Sequence, residues 1–432
     1  MRKSTVNQRD VQKGRTHRGW LHAIVMLTSL SAGIATATPP GEPANQTTPP
    51  PAAPSLSKPD AMPAPPTTTM RRVFQEIRTL VPLSLDELRW SDPASRATIL
   101  KSLEQLESAA SALERHARAR EAGFDELALS LGRDLREARN HYEAGLHSEA
   151  RFFLTGSLQN CVSCHVRLPS DMNNAAAREL TDQPEIGALD ARERAWLLVM
   201  TRRFDDALDI WEAMMADPAL SPGELDASGV LVDYLNVVLR VRTDVPRARR
   251  TMVELAKRSD LPVYLEQRVK TWRAQLAALD AERLAYDRSP SLAFGAQLAK
   301  EAGELAQGPY GRDGLIQDLA AASQLVRFLE HDRAQHALVT RNLTSQERTD
   351  RARAYYWLGI VEARSLDGFW INLSERHFEA AIRSDSKGPY AKRAFAQLEE
   401  TQVLGYGGAS GESLPADVWT HLEELRTLMG VE

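Results

Sequence analysis

The stretch that decides the fold and the chemistry of this chain runs from His147 to His165 and reads HSEARFFLTGSLQNCVSCH. Its apolar residues recur at helical spacing, which predicts an amphipathic helix that begins near His147. Its last five residues are Cys-Val-Ser-Cys-His, and both cysteines of the chain lie there. On a helix, Cys161 and Cys164 are three positions apart, so both thiols would face the same side.

A C-x-x-C-H motif is the attachment signature of c-type haem. Cys161 and Cys164 would add to the two vinyl groups of one porphyrin, and His165 would ligate its iron as the proximal imidazole. Other interpretations are weaker. A redox C-x-x-C requires a βαβ setting, a structural zinc site requires about four ligands, and a disulfide gives no role to His165. The sequence therefore predicts one covalent haem c.

The N-terminus predicts export. Residues 1–18 carry six basic side chains and one acidic side chain, an apolar stretch follows, and Ala35-Thr36-Ala37 has the pattern of a cleavage site. The alternative is an uncleaved membrane anchor, but a spanning helix needs about 20 clearly apolar residues. We expect a signal peptide over residues 1–37 that is cleaved near Ala37. The mature protein is then periplasmic or otherwise exported, with no stable membrane span.

The composition of the remaining chain narrows its partners. The formal net charge of −5 becomes −10 without residues 1–37, whose own balance is +5. Such an acidic protein is a poor candidate for nucleic-acid binding. Residues 38–69 hold eleven of the 23 prolines, so we predict a disordered, proline-rich linker there. The predicted export agrees with the motif, because c-type haem is attached outside the cytoplasm.

Four amphipathic helices are predicted in the first part of the mature chain. The first carries an apolar stripe from Met70 onward and is expected to end at Pro82. The second is expected to open at Ser91-Asp92-Pro93, where a capping residue precedes a proline. The third ends before Gly145, and the fourth runs into the cysteine motif.

Haem attachment late in the last of four helices resembles the cytochrome c-prime family. The resemblance rests on Cys161, Cys164 and His165 together with the helix order, and it implies a four-helix-bundle haem domain over residues 70–172. The sequence departs from the family after the histidine. It has Val166-Arg167-Leu168-Pro169, so the arginine is offset and the usual aromatic residue is missing.

The sixth iron ligand is left open. In relatives of this family a methionine of the first helix can ligate the iron, which implies Met70 here; in others that position is apolar and the site stays vacant. Alternatively, Met70 faces the core, and Phe74 or Ile77 covers the haem without binding it. Met172 follows His165 too closely to reach the opposite face of the porphyrin.

Residues 185–432 predict a second helical region. The windows from Ala195 to Pro218 and from Tyr355 to Pro389 resemble tetratricopeptide repeats, with small residues where two helices would cross. A terminal amphipathic helix is expected over residues 415–429. The region has no metal-ligand spacing, phosphate loop or nucleophile elbow. We therefore predict that this region is an α-solenoid that docks a protein partner, and not a catalytic domain.

Taken together, these patterns predict an all-α chain, with a four-helix-bundle haem domain followed by tetratricopeptide-like helix pairs. The expected function is that of an exported monohaem c-type cytochrome, which exchanges one electron with a protein partner docked by the repeats. Two alternatives stay open. The haem is a sensor of a diatomic gas or of redox state that signals through the repeats, or it is a structural group in a scaffold protein.

Overall fold

Helices form nearly all of the described structure, which confirms the all-α prediction. The predicted signal peptide and most of the predicted linker lie outside the described residues, as do Arg167 and Met172. All described residues belong to one compact unit. The computed structural model describes residues 66–117, 123–166, 175–306, 313–337, 342–364, 373–408, 411–412 and 414–431.

The first five helices contain the segment for which a haem bundle was predicted. α1 packs against α3, α3 against α4, and α4 against α5. Their apolar stripes meet in a core that includes the fully buried Leu80, Leu103, Leu135 and Leu158. The bounds are α1 (Pro66–Leu85), α2 (Glu87–Ser91), α3 (Arg96–Ala117), α4 (Phe124–Glu143) and α5 (His147–His165).

Two of the expected helix boundaries in this segment were wrong. α1 continues through Pro82, because Leu80 and Ser84 on either side of it are fully buried and tertiary packing outweighs the lost backbone hydrogen bond. Ser91 ends α2 rather than opening a helix, and Asp92 caps a turn by accepting from the N–H of Ala94 at 2.9 Å. The expected break at Gly145 is confirmed.

A buried tryptophan closes the end of the α4–α5 pair at which α4 ends and α5 begins. Trp90 is 1% exposed, and its indole N–H donates to the backbone oxygen of His147 at 2.9 Å. The Tyr142 hydroxyl donates to the backbone oxygen of Trp90 at 2.8 Å. The two rings meet edge to face, with centroids 5.1 Å apart. The Arg96 guanidinium donates to the backbone oxygens of Tyr142 and Glu143, so hydrogen bonds and aromatic contact from the first five helices meet at this end.

The rest of the chain adds fifteen α-helices, one π-helix and a hairpin of two two-residue strands to the described structure. Among the described helices, none is long and apolar enough to cross a membrane. The helices are α6 (Ala175–Thr181), α7 (Pro184–Gly187), α8 (Ala191–Met200), α9 (Phe204–Ala216), α10 (Pro222–Ala227), α11 (Val230–Leu235), the π-helix (Asn236–Val241), α12 (Val245–Leu255), α13 (Val263–Ala278), α14 (Ala281–Leu284), α15 (Leu292–Leu305), α16 (Leu315–Ala337), α17 (Ser345–Arg364), α18 (Ser374–Ser384), α19 (Pro389–Tyr406) and α20 (Ala416–Met429), and strands β1 (Gly407–Gly408) and β2 (Gly411–Glu412) pair antiparallel before α20.

Each predicted repeat window coincides with packed helices. α8 packs against α9 in the first window, while α17 packs against α18 and α18 against α19 in the second. The expected terminal helix is confirmed as α20. The π-helix is joined to α17 by a buried ion pair between Arg240 and Glu362, 2.5 Å apart and each 3% exposed. These helices therefore share one core instead of forming isolated pairs.

Candidate functional site

The C-x-x-C-H motif forms the C-terminal end of α5. Cys161 is buried and Cys164 half-buried, and neither forms a disulfide. His165 is the last residue of the helix. The three predicted haem-binding residues therefore lie together at one end of the α4–α5 pair, opposite the end that Trp90 closes.

Cys161 is held as a protonated thiol. Its Sγ lies 3.5 Å from the backbone oxygen of Ser157. Burial, and secondarily the neighbouring Cys164, raises the pKa of the Cys161 thiol to about 12. A thiol with this pKa carries almost no thiolate at neutral pH, and thiolate is the form that disulfide exchange and zinc binding use. The surroundings of Cys161 therefore do not favour a redox-active C-x-x-C.

Cys164 lies against apolar side chains at the start of α4. Together with Leu113 of α3 it packs against Phe124 and Ala128 at the start of α4. A large planar apolar group bonded to the Cys164 sulfur would meet hydrocarbon here rather than charge. This wall suits a porphyrin face, because burial of apolar surface is what favours its binding.

His165 is held in one tautomer by a backbone carbonyl. Its Nδ1 lies 2.6 Å from the backbone oxygen of Met200. A carbonyl oxygen only accepts, so Nδ1 carries the proton and Nε2 keeps the lone pair that binds metal. Burial, and secondarily the nearby Arg202 cation, lowers the pKa of His165 to about 3. The imidazole is therefore neutral and oriented, as an iron ligand must be.

The Met200 carbonyl is available because of the way α8 ends. Arg202 takes a left-handed conformation with φ of 59°, and its N–H donates to the oxygen of Val199 at 3.0 Å. The N–H of Arg203 donates to the oxygen of Leu198 at 2.8 Å. This pair of bonds is the Schellman motif, which satisfies two of the terminal carbonyls of a helix. Met200, the last residue of α8, directs its carbonyl to His165 instead.

Met70, the candidate sixth ligand, lies in the second turn of α1. The helix begins at Pro66, so Met70 is inside it rather than at a frayed end. Its side chain is half-buried and packs against the main hydrophobic core, together with the half-buried Phe74. Ligation of iron by Met70 stays a prediction.

The histidines at the other end of α5 do not join the motif. Nδ1 of His141 lies 2.8 Å from the backbone oxygen of Glu137. The His147 ring lies edge-on to Tyr142, with centroids 4.8 Å apart. Both belong to the end that Trp90 closes. Within the described ranges, no group of three or more His, Cys, Asp and Glu side chains is placed to hold a metal ion.

The donor set fits a covalently attached haem better than a bare metal. It offers two thiols that are not in a disulfide and one neutral imidazole whose Nδ1–H is already donated. No protein-family model, curated protein or solved structure matches the chain. The assignment of this site therefore rests on the motif and on its geometry.

A helix from the second repeat window also reaches this end of the α4–α5 pair. The Arg376 guanidinium of α18 lies 2.6 Å from the Glu126 carboxylate of α4. Gly123, which precedes α4, contacts Leu373 so closely that a Cβ on Gly123 would stand 2.5 Å from Cδ1 of that leucine. The motif end is thus completed by both repeat windows, through α8 and through α18.

Sequence reasoning found the thiols and the imidazole but missed what orients the imidazole. The acceptor is the backbone oxygen of Met200, and a backbone oxygen has no residue type by which it is recognised. A left-handed helix end is usually signalled by glycine, yet this one carries Arg202. The sequence therefore held no local signal for the contact between His165 and α8.

Proposed function

We propose that this chain is an exported monohaem c-type cytochrome that transfers single electrons to or from a protein partner. The observation that carries the proposal is the hydrogen bond from Nδ1 of His165 to the Met200 carbonyl, at the end of a C-x-x-C-H motif. A histidine that ligates metal almost always donates its other ring N–H in this way. A histidine without a ligand to bind does not require that tautomer.

Each residue of the motif has a separate role in this proposal. Cys161 and Cys164 hold the porphyrin through thioether bonds, and His165 presents Nε2 to the iron. The packing of Cys164 against Phe124 and Ala128 keeps water from one side of the attached group. The haem supplies a reversible one-electron couple.

The helix order supports the four-helix bundle that the cytochrome c-prime resemblance implies. Trp90 follows α1 and contacts the start of α5, so the C-terminal end of α1 lies at the His147 end. α1 has 20 residues, about 30 Å at 1.5 Å per residue, and it packs along α3. Its start, with Met70, then faces the motif end. Because α1 packs chiefly along α3, ligation of the iron by Met70 is the part of this proposal that the carbon monoxide experiment below tests.

We assign partner docking to the helical repeats. α8 and α9 pack as a pair next to the motif, and α18 contacts the start of α4 from the other side. Stacked helix pairs present extended binding surfaces, and the proposed surface would lie beside the proposed haem site. A partner docked on them would stand close to the iron, as electron transfer requires.

The sensor alternative has one observation in its favour. The proximal ligand is tied to α8, in the first repeat-like pair, so a change at the iron has a direct path into the repeats. A sensor also needs a vacant sixth position, whereas an electron carrier commonly has two protein ligands. The two functions therefore differ in the coordination of the iron.

Covalent attachment is tested first. The full chain is produced in cells that attach c-type haem and is run on a denaturing gel with a haem stain, next to a Cys161→Ala, Cys164→Ala double variant. We expect stain in the first lane and none in the second. A colourless protein with a Cys161–Cys164 disulfide would overturn the proposal.

Ligation is tested by spectroscopy. His165→Ala should change the visible spectrum strongly, whereas the matched variant His147→Ala, on the same helix, should leave it unchanged. Carbon monoxide added to the reduced protein then reports the sixth position. Binding only after Met70→Leu indicates a methionine ligand and an electron carrier. Ready binding to the unsubstituted protein favours the sensor.

A further inference from the structure

The proximal histidine is held by a helix from a different part of the chain. His165 closes α5, while the carbonyl that orients it belongs to Met200 at the end of α8. Resting on the haem proposed above, we propose that the turn between α8 and α9 positions the iron ligand. This turn, Thr201–Arg203, thereby links the helical repeats to the redox state of the iron.

The hydrogen bond has an electronic consequence for a metal on Nε2. A carbonyl that accepts from Nδ1–H leaves more electron density on the imidazole, so the ring becomes a stronger donor. A stronger axial donor favours ferric over ferrous iron and lowers the reduction potential. The carbonyl of Met200 also stands at the negative end of the α8 dipole, which acts in the same direction. Withdrawal of this carbonyl would therefore raise the potential.

The turn is connected firmly to the helix that follows it. The side chain of Arg203 pairs with Asp206 of α9 at 2.5 Å, and it also bonds the Thr181 hydroxyl of α6. Phe204 and Trp211 of α9 are each 1% exposed. A partner that shifts α9 must therefore move the turn as well, and with it the Met200 carbonyl.

Thermodynamic linkage makes this coupling reciprocal. If docking changes the ratio of reduced to oxidised iron at a fixed potential tenfold, then reduction changes the affinity for the partner tenfold. For a one-electron couple this factor corresponds to 59 mV. The turn would thus let the partner bind one redox state more tightly and leave after the electron has passed.

The test compares two substitutions of Arg202 in the haem-loaded full chain. Arg202→Gly removes the cation but keeps the left-handed turn, whereas Arg202→Pro removes the same cation and cannot adopt a positive φ. Any difference between them reports the turn and not the charge. We expect the ferrous-to-ferric ratio at a fixed potential to be about tenfold higher in Arg202→Pro than in Arg202→Gly. With Met70→Leu added to both, so that the ferrous iron has no methionine ligand, the iron–imidazole stretching frequency should also be lower in Arg202→Pro.

The matched control uses the other described non-glycine residue with positive φ. Thr243 has φ of 53° and lies between the π-helix and α12, in a turn that is not part of the end of α8. Thr243→Gly and Thr243→Pro should have equal potentials. If Thr243→Pro shifts the potential as much as Arg202→Pro, the effect is general loosening and the proposal is wrong.

Equal potentials for Arg202→Gly and Arg202→Pro would overturn this inference and leave the cytochrome proposal intact. A chain without a Soret band overturns both, and it is recognised before any potential is measured. Should Arg202→Pro not fold, proton NMR of the unsubstituted ferric protein decides. A His165 Nδ1–H that exchanges slowly with solvent supports the bond to Met200, and rapid exchange contradicts it.

Discussion

The two ends of the α4–α5 pair are closed in different ways. At the His147 end, Trp90 and Tyr142 close the structure with hydrogen bonds and ring contacts that lie within the first five helices. At the His165 end, the contacts come from the distant helices α8 and α18. The bonds of Trp90 and Tyr142 stay within the first five helices, with Arg89 of α2 also pairing with Glu185 of α7, whereas the His165 end is contacted by both repeat windows.

This difference separates stability from chemistry along a single helix. α5 carries a histidine at each end, about 27 Å apart at 1.5 Å per residue, but only the second has cysteines beside it. The first end holds the helices together, and the second end places the motif against helices from distant parts of the chain. Substitutions at the two ends should therefore affect different measurements.

The largest effect on stability is expected from Trp90→Ala at the His147 end. The substitution leaves a cavity in the core and orphans the backbone oxygen of His147, which should cost about 3–5 kcal/mol of the free energy of unfolding. Denaturant unfolding measures it, and Trp90→Phe, which keeps an aromatic ring, should lose less. The haem spectrum of Trp90→Ala should stay unchanged. A changed haem spectrum with unchanged stability would show that the His147 end serves the haem and not the stability of the helices.

Two glycines allow the ends to be compared directly. Gly123 before α4 and Gly145 after it have φ of 96° and 81°, so alanine strains the backbone at either by about 1–2 kcal/mol. Only at Gly123 does the new Cβ also meet Leu373, at 2.5 Å. We expect Gly123→Ala to cost about 2–3 kcal/mol and Gly145→Ala about 1 kcal/mol.

The additional cost in stability of Gly123→Ala over Gly145→Ala measures the contact with Leu373, the residue before α18. The double variant Gly123→Ala, Leu373→Ala provides the control, because it relieves the clash while keeping the strained backbone. Its backbone penalty should then match that of Gly145→Ala in a double-mutant cycle. Equal costs for the two single glycine variants would show that α18 does not press on the motif end.

The parts of the fold that follow local patterns could be predicted from the sequence. Gly145 separates α4 from α5 because glycine readily takes a positive φ, and the cysteine spacing predicted a candidate site at the end of α5. Pro82 was misread, because its local signal is overruled by the buried residues on either side of it. Local patterns report the chain's own preferences and not what a distant helix adds.

The contact between His165 and Met200 could not be predicted for the same reason. It joins a side chain to a backbone oxygen 35 positions further along, with α6 and α7 between them in the sequence. The approach of Leu373 to Gly123 spans a still longer separation. The end of α5 that depends on long-range contacts is thus the end whose geometry the sequence did not reveal.

Between the two ends, the Asp134 carboxyl connects α4 with α5. Its substitution has the smallest expected effect on the free energy of unfolding. The Asn160 side-chain N–H₂ donates to Asp134 Oδ2 at 2.9 Å. The buried Oδ1 of Asn160 has no hydrogen-bond partner among the described residues. Burial raises the pKa of Asp134, against the lowering effects of Arg133 and of the hydrogen bond from Asn160.

A raised pKa means that the folded protein holds this proton more tightly than the unfolded chain does. The stabilisation is complete below the ordinary value of 3.8 and is lost as the pH rises through the folded-state pKa. Unfolding curves between about pH 3 and pH 7 should therefore show the wild type losing about 1 kcal/mol or less relative to Asp134→Asn. Arg133→Gln removes a charge that opposes the shift, so it should steepen the dependence. Parallel curves for the wild type and Asp134→Asn would show that this carboxyl is not desolvated, and that the middle of the α4–α5 pair is as open to water as its surface.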